Sequence, residues 1–119
     1  MTTIIRQVGG VTIADISGRI QLGEESAALR DLVCDLLSNG HKKILFNLSE
    51  GSYIDSSGLG HLVSAFTSVR KRGGDLKLLN LTENFHNEMQ LTRLYTVFET
   101  MDDEATAIKS FGQSAAATA

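Results

Sequence analysis

The apolar positions of the chain follow two spacings, one typical of strands and one typical of helices. Two short apolar runs at 4–8 and 11–16 flank Gly9-Gly10. Both glycines accept the positive φ angles of a two-residue turn, so these runs predict a β-hairpin whose second strand ends at Gly18. Helical and extended patterns alternate after the hairpin. They predict helices at 24–38, 56–72, 83–95 and 102–111, strands at 44–48, 76–81 and 97–98, and a loop at 49–54.

This order of elements predicts an α/β fold. A hairpin followed by strand–helix alternation favours a mixed, mostly parallel β-sheet with an N-terminal hairpin, packed against about four α-helices. The length of 119 residues fits a single domain, which we assign to 1–112. The small residues at 113–119 predict a disordered C-terminal tail. One core accounts for the apolar positions, so we expect a monomer when the protein is free.

Composition and charge narrow the functional class. The formal net charge is -3, and no apolar run approaches the roughly 18 residues that span a bilayer. The N-terminus lacks the basic and apolar regions of a secretory signal, and the single cysteine, Cys34, can form no internal disulfide. No phosphate-binding loop and no zinc-type Cys/His spacing occurs. We therefore expect a cytoplasmic protein with no metal, no cofactor, no direct contact with nucleic acid and no membrane association.

One tight basic cluster, Arg70-Lys71-Arg72, lies at the predicted end of the second helix. Cations at this position complement the negative end of the helix dipole. Binding of an acidic partner is the other interpretation.

The segment Ile54-Asp55-Ser56-Ser57-Gly58-Leu59-Gly60 joins a buried strand to an amphipathic helix. Asp and Ser are ordinary helix N-caps, so capping is one explanation. Capping does not explain three such residues in a row without a Glu or Gln three positions later. Nor does it explain the two glycines, each of which costs about 1 kcal/mol in a helix relative to alanine. Small residues leave the backbone accessible, and a helix N-terminus binds phosphate well, so the segment is a candidate functional site.

The chain resembles a known family at these residues. Residues 44–48 and 53–60 are similar to the central strand and the signature of the STAS domain, which sulfate transporters and bacterial anti-sigma factor antagonists share. Residues 72–78 resemble the end of the family's next helix and the strand that follows it. Residues 91–98 resemble the segment after the family's third helix. The resemblance covers nearly the whole chain.

The resemblance implies a phosphorylation switch. In the stand-alone antagonists of this family, the serine directly after the aspartate is the phosphoacceptor, which carries over to Ser56. Asp55, Ser57 and Gly58 would support that site. The unphosphorylated antagonist binds an anti-sigma factor with serine kinase activity, phosphorylation releases it, and a serine phosphatase resets it, so that partner switching regulates transcription. The expected partner contacts are Asp55, Ser56, Ser57, Gly58, Gly60 and Ser64.

Two other classes of function compete with this interpretation. An enzyme would need a base beside Ser56, supplied by His41, His61 or His86, but no Gly-x-Ser-x-Gly elbow is present. In a phosphoaspartate receiver Asp55 would be the acceptor, but a receiver does not open with a Gly-Gly hairpin. From both arguments we expect that the protein is not an enzyme. The other alternative is a STAS scaffold or accessory subunit of a stress-signalling or lipid-transport complex.

Overall fold

The computed structural model describes the backbone of residues 2–20, 24–54, 56–93, 96 and 98–118, and the side chains of 2–18, 29–50, 58–93, 96 and 98–111. This part of the chain forms five strands and four helices. Their order is β1 (Thr2–Val8), β2 (Val11–Ile20), α1 (Glu24–Ser38), β3 (Lys43–Ile54), α2 (Ser56–Lys71), β4 (Asp75–Leu79), α3 (Glu83–Thr92), β5 (Thr100–Met101) and α4 (Glu104–Thr118).

The strands of the described region form one mixed sheet in sequence order, β1-β2-β3-β4-β5. β1 pairs antiparallel with β2, and each later neighbour pairs parallel. Gly9 and Gly10 form the turn of the hairpin with φ angles of 56° and 81°. The predicted α/β fold is therefore confirmed, including the N-terminal hairpin and the mostly parallel sheet.

Helices cover both faces of the sheet because its central strands are apolar on both sides. On one face, α1, α2 and α3 pack against strand residues such as Phe46 and Leu78. On the other face, α4 places Ala107 and Phe111 against Leu45 and its neighbours. The start of α2 therefore lies on the face that carries the larger core.

Two strands continue beyond their predicted ends. β2 passes Gly18 and ends at Ile20, and β3 runs through the predicted loop at 49–54. The two extensions pair with each other, from Ser17 opposite Glu50 to Ile20 opposite Ile54. The polar residues at 49–52 show no strand periodicity, so pairing between strands overrides the local preference here.

The region after α3 also differs from the prediction. α3 ends at Thr92 instead of 95, because Arg93 adopts a left-handed φ of 62° and its N–H caps the last turn. β5 lies at Thr100–Met101, and Phe98 of the predicted strand 97–98 is not part of a strand. Phe98 is instead buried in the core, where its ring packs edge-to-face on Phe66 at 5.1 Å, while Val97 lies outside the described residues.

The last helix begins two residues later than predicted. The Asp103 side chain accepts hydrogen bonds from the Thr106 N–H at 2.9 Å and from its hydroxyl at 2.8 Å, so Asp103 acts as the N-cap of α4. These bonds lower the pKa of the Asp103 carboxyl. The backbone is helical to Thr118. The domain boundary at 112 and the disorder of 113–119 in solution stay predictions.

Candidate functional site

The candidate site lies where β3 passes into α2. β3 ends at Ile54 and α2 begins at Ser56, so a single residue separates them. β3 lies between β2 and β4, and parallel strands bring their carboxyl ends to the same end of a sheet. The N-terminus of α2 is therefore central at the carboxyl end of the sheet, where its free N–H groups and its dipole favour an anion.

The approach of β3 to this helix is irregular. Asp15 lies opposite Asn47, but Ser17 lies opposite Glu50, so β3 contains one more residue than β2 over this interval. A second shift follows, between Gly18 and Arg19. Such bulges increase the local twist and change the direction of a strand, and they are common beside functional sites. Here the two bulges set the position and direction of the chain at the end of β3, where α2 begins.

A polar network holds the first bulge. The Asn47 Oδ1 accepts a hydrogen bond from the Ser49 N–H at 3.3 Å and from the Asn80 Nδ2 at 3.2 Å. The Asn47 Nδ2 donates to the Asp15 Oδ1 at 2.7 Å, and Asp15 also accepts two bonds from Arg6, at 2.6 and 2.9 Å. Hydrogen bonding by Arg6, and secondarily by Asn47, holds the pKa of Asp15 below its ordinary value.

This network was not predicted. It connects β1, β2, β3 and the turn after β4, and Arg6 extends it to Glu104 of α4 at 2.7 Å. The sequence signal that could have indicated the network was one polar residue within an otherwise apolar strand, Asp15 in β2 and Asn47 in β3. Polar groups at such positions are expected to find partners when they are partly buried.

Two of the predicted partner contacts share one exposed face of α2. Gly60 and Ser64 are both exposed and stand four residues apart, which makes them neighbours on a helix surface. No atom lies within 4 Å of the position that a Cβ at Gly60 would occupy. The face beside Leu59 and Leu62, by contrast, is buried in the core. Gly60 therefore leaves bare backbone at the surface and fills no packing role within the described part of the domain.

The other predicted site residues have a different status. Gly58 is buried, so the structure does not bring it onto the face of Gly60 and Ser64. Ser56 is the first residue of α2, one turn before Gly60, and Ser57 follows it. Asp55 and the side chains of Ser56 and Ser57 lie outside the described residues. The roles assigned to these four residues stay predictions.

The histidines differ in their surroundings. The His41 Nδ1 lies 3.0 Å from the Thr12 Oγ1, His61 is half-buried on α2, and His86 is exposed on α3. Across the described residues, no group of three or more His, Cys, Asp or Glu side chains is placed to hold a metal ion. No helix in that part of the chain is long and apolar enough to cross a membrane.

Comparison with known families decides the assignment. The model of the STAS domain matches residues 2–107. The chain belongs to the STAS domain family. The resemblance identified from the sequence is thereby confirmed.

Similar STAS proteins are anti-sigma factor antagonists. The anti-sigma-B factor antagonist of Bacillus subtilis (strain 168) is 34% identical over 85 residues, which cover 71% of this chain and 76% of that protein. A Thermotoga maritima protein assigned as an anti-sigma factor antagonist has a TM-score of 0.82 at 26% identity, covering 91% of this chain and 92% of that one. The Bacillus cell fate determinant SpoIIAA, solved in its phosphorylated form, has a TM-score of 0.70 at 18% identity over 92% of this chain and 99% of that one. At that identity, the likeness to SpoIIAA supports the fold alone.

Proposed function

We propose that this protein is an anti-sigma factor antagonist switched by phosphorylation of Ser56. The unphosphorylated form binds an anti-sigma factor with serine kinase activity, phosphorylation releases it, and a serine phosphatase restores it. The observation that carries the proposal is the 34% identity to the Bacillus subtilis anti-sigma-B factor antagonist over 71% of the chain. The protein acts by binding and catalyses no reaction, and it is a cytoplasmic monomer when free.

The exposed face of α2 supports a partner contact at this place. Gly60 and Ser64 present an exposed surface without bulky side chains one to two turns after Ser56. A partner can approach the backbone closely there because no side chain projects from Gly60. Asp55 would accept N–H bonds from the start of the helix or orient the Ser56 hydroxyl. Ser57 and Gly58 complete the segment that the kinase would recognise.

Phosphorylation would act on the interface rather than on the fold. A phosphoserine carries about -1.5 to -2 charges at pH 7. At a helix N-terminus this charge gains about 0.3–1 kcal/mol from the dipole, so the domain has no reason to rearrange. A partner carboxylate about 6 Å from one phosphate charge would be repelled by about 3 kcal/mol at an effective dielectric near 20. Together with the lost backbone contact, a weakening of about a hundredfold, or 2.7 kcal/mol, is expected.

The test begins with the partner. Affinity capture from the native cell should recover an anti-sigma factor with a kinase domain, and recovery of a transporter or a signalling scaffold instead would contradict the proposal. Calorimetric titration then compares the phosphorylated and unmodified protein with the variants Ser56→Ala, Ser56→Asp and Ser57→Ala. We expect both alanine variants to bind and only Ser56→Ala to resist phosphorylation, so Ser57→Ala is the matched control. Phosphorylated protein that bound as tightly as unmodified protein would refute the switch.

A further inference from the structure

A cluster of positive charge lies at the opposite end of the molecule from Ser56. The connections α1–β3 and α2–β4 both lie at the amino end of the parallel strands. The Asp75 N–H donates to the Lys42 carbonyl at 2.7 Å, so the two connections are in direct backbone contact. This contact brings together five of the eleven lysines and arginines, which we call the basic end. Its members are Lys42, Lys43, Arg70, Lys71 and Arg72.

Hydrogen bonding of the cations to the helix ends does not account for this cluster. At the end of α1, the N–H groups of Gly40 and His41 reach back to carbonyls of the last turn at 3.0 and 2.9 Å. At the end of α2, the N–H groups of Gly73 and Gly74 do the same at 3.1 and 2.9 Å. Gly40 and Gly73 have φ angles of 84° and 78°, as expected for this type of cap. Backbone groups therefore already satisfy the helix ends.

Ion pairing does not account for them either. Arg70 approaches Asp75 at 3.6 Å, but its side chain remains 59% exposed. Among the residues that the structure describes, Lys42, Lys43, Lys71 and Arg72 form no ion pair. Like charges held close together oppose folding. Of these five cations, only Arg70 has compensating partners among the described residues, Asp75 and the Phe66 ring 6.0 Å away, and the helix dipole offers the cations of the last turn of α2 about 0.3–1 kcal/mol each. Four of the five positive charges therefore have no carboxylate partner in the described part of the chain.

We propose that the basic end binds an acidic segment of a partner protein, at a surface separate from the phosphorylation site. α2 has 16 residues, which places Ser56 about 24 Å from this end. The exposed large apolar side chains of the described region are Ile4, Ile5, Val8 and Leu91. None of them lies in the two basic connections, so this end offers no large exposed apolar side chain to insert into a bilayer. The aromatic ring of the α1–β3 connection, that of His41, is half-buried and lies 3.0 Å from the Thr12 hydroxyl, so it is not presented as a platform for stacking bases.

Overall charge favours a short occupant. The chain is net negative, with a formal charge of -3, although the basic end is strongly positive. The rest of the chain therefore carries a formal charge of -8, since the five cations are included in the total of -3. A long polyanion such as DNA, or an extended anionic membrane, would be repelled by that charge where it extended past the basic end. A short acidic peptide segment would meet the positive charges alone.

The probe for this surface is a fluorescently labelled oligoglutamate peptide, followed by fluorescence anisotropy at low salt. The double variant Lys42→Glu/Arg72→Glu should weaken peptide binding by at least about tenfold, because it reverses two of the five charges. The matched control is Arg30→Glu/Lys109→Glu, which makes the same change of net charge at two exposed cations outside the basic end. It should leave the affinity close to that of the wild type. Added salt should weaken binding of the wild type.

The outcomes separate this proposal from the phosphorylation switch. Ser56→Asp should bind the peptide as the wild type does, whether or not Ser56 is the phosphoacceptor. A short DNA duplex and vesicles containing phosphatidylserine serve as competing ligands. Tighter binding of either would refute the assignment to an acidic protein segment. Absence of peptide binding, or an equal loss in both double variants, would refute the surface itself.

Discussion

Gly60 provides the most direct test of the partner face. Its backbone is exposed, and a Cβ at this position would meet no atom within 4 Å. Replacing a helical glycine by alanine gains about 1 kcal/mol. Gly60→Ala should therefore raise the free energy of unfolding by about that amount and Tm by about 4 °C. Gly60→Glu should fold equally well, because a carboxylate near a helix N-terminus is favourable.

Gly74 is the matched control, because a Cβ there would meet close neighbours, whereas a Cβ at Gly60 would meet none. A Cβ at Gly74 would lie 2.6 Å from the Lys42 carbonyl oxygen and 2.9 Å from the Val69 Cγ1. The carbonyl belongs to the backbone and cannot turn aside as a flexible side chain could. Overpacking of this kind costs about 1–3 kcal/mol, so Gly74→Ala should lower Tm by about 4–12 °C.

Differential scanning calorimetry and titration with the anti-sigma partner complete the test. If Gly60 lies at the contact, Gly60→Glu should melt no lower than the wild type and bind about a hundredfold more weakly, a loss of about 2.7 kcal/mol. Gly60→Ala should weaken binding less, because a methyl group adds bulk without charge. A Gly60→Glu protein that failed to fold would show that the helix surface is packed, contrary to the geometry. A folded variant with normal affinity would place the contact elsewhere.

Three further predictions concern charged side chains. Asp15→Ala should cost about 2 kcal/mol at neutral pH. Arg6 lowers the pKa of Asp15 in the folded state, so this stabilisation is present above the unfolded pKa near about 4 and is lost as the pH falls through the folded pKa. Denaturation curves of wild type and variant should therefore converge in acid, and a difference independent of pH would contradict this reasoning. Lys77 is 2% exposed and pairs with Glu99, whose side chain is 65% exposed. Lys77→Met should change stability little, because Glu99 can return to water and the Ser110 hydroxyl, which accepts a bond from Lys77 at 2.9 Å, still donates to the Ala107 carbonyl. Lys77→Ala should cost about 2 kcal/mol through the cavity it leaves. Urea denaturation decides, and equal losses would be the contrary result. Arg93 holds a φ of 62° at the end of α3, so Arg93→Gly should gain about 1 kcal/mol, and an unchanged Tm would argue against strain there.

The elements that could be predicted are those that local sequence determines. Gly9-Gly10 marks the hairpin because only residues tolerant of positive φ fit the turn, and the structure has that geometry. The apolar run at 44–48 marks the centre of β3 because both its faces are buried. The pairing of residues 17–20 with 50–54 could not be predicted, because it arises between segments that are distant in sequence. Its polar residues gain their strand conformation only from that pairing.

The candidate site also contains features that the sequence predicts and features that it does not. The exposure of Gly60 and Ser64 follows from the helical period once Leu59 and Leu62 are assigned to the core. The burial of Gly58 does not follow so directly, since it depends on what packs against the first turn of α2. The contact of Asp15 with Asn47 also depends on the register of two strands, which a bulge then changes. A single sequence does not specify that register.

The parallel topology gives the two ends of the molecule opposite electrostatic character. Helix N-termini collect at the carboxyl end of the sheet, where they favour a phosphate, and helix C-termini collect at the amino end, where the cations lie. The length of α2, about 24 Å, is close to three Debye lengths at physiological salt. Direct repulsion or attraction between a phosphate on Ser56 and the basic end is therefore largely screened. If phosphorylation nevertheless changed the affinity of the basic end for an acidic peptide, charge alone could not explain the coupling, and a movement of α2 relative to the sheet would be required.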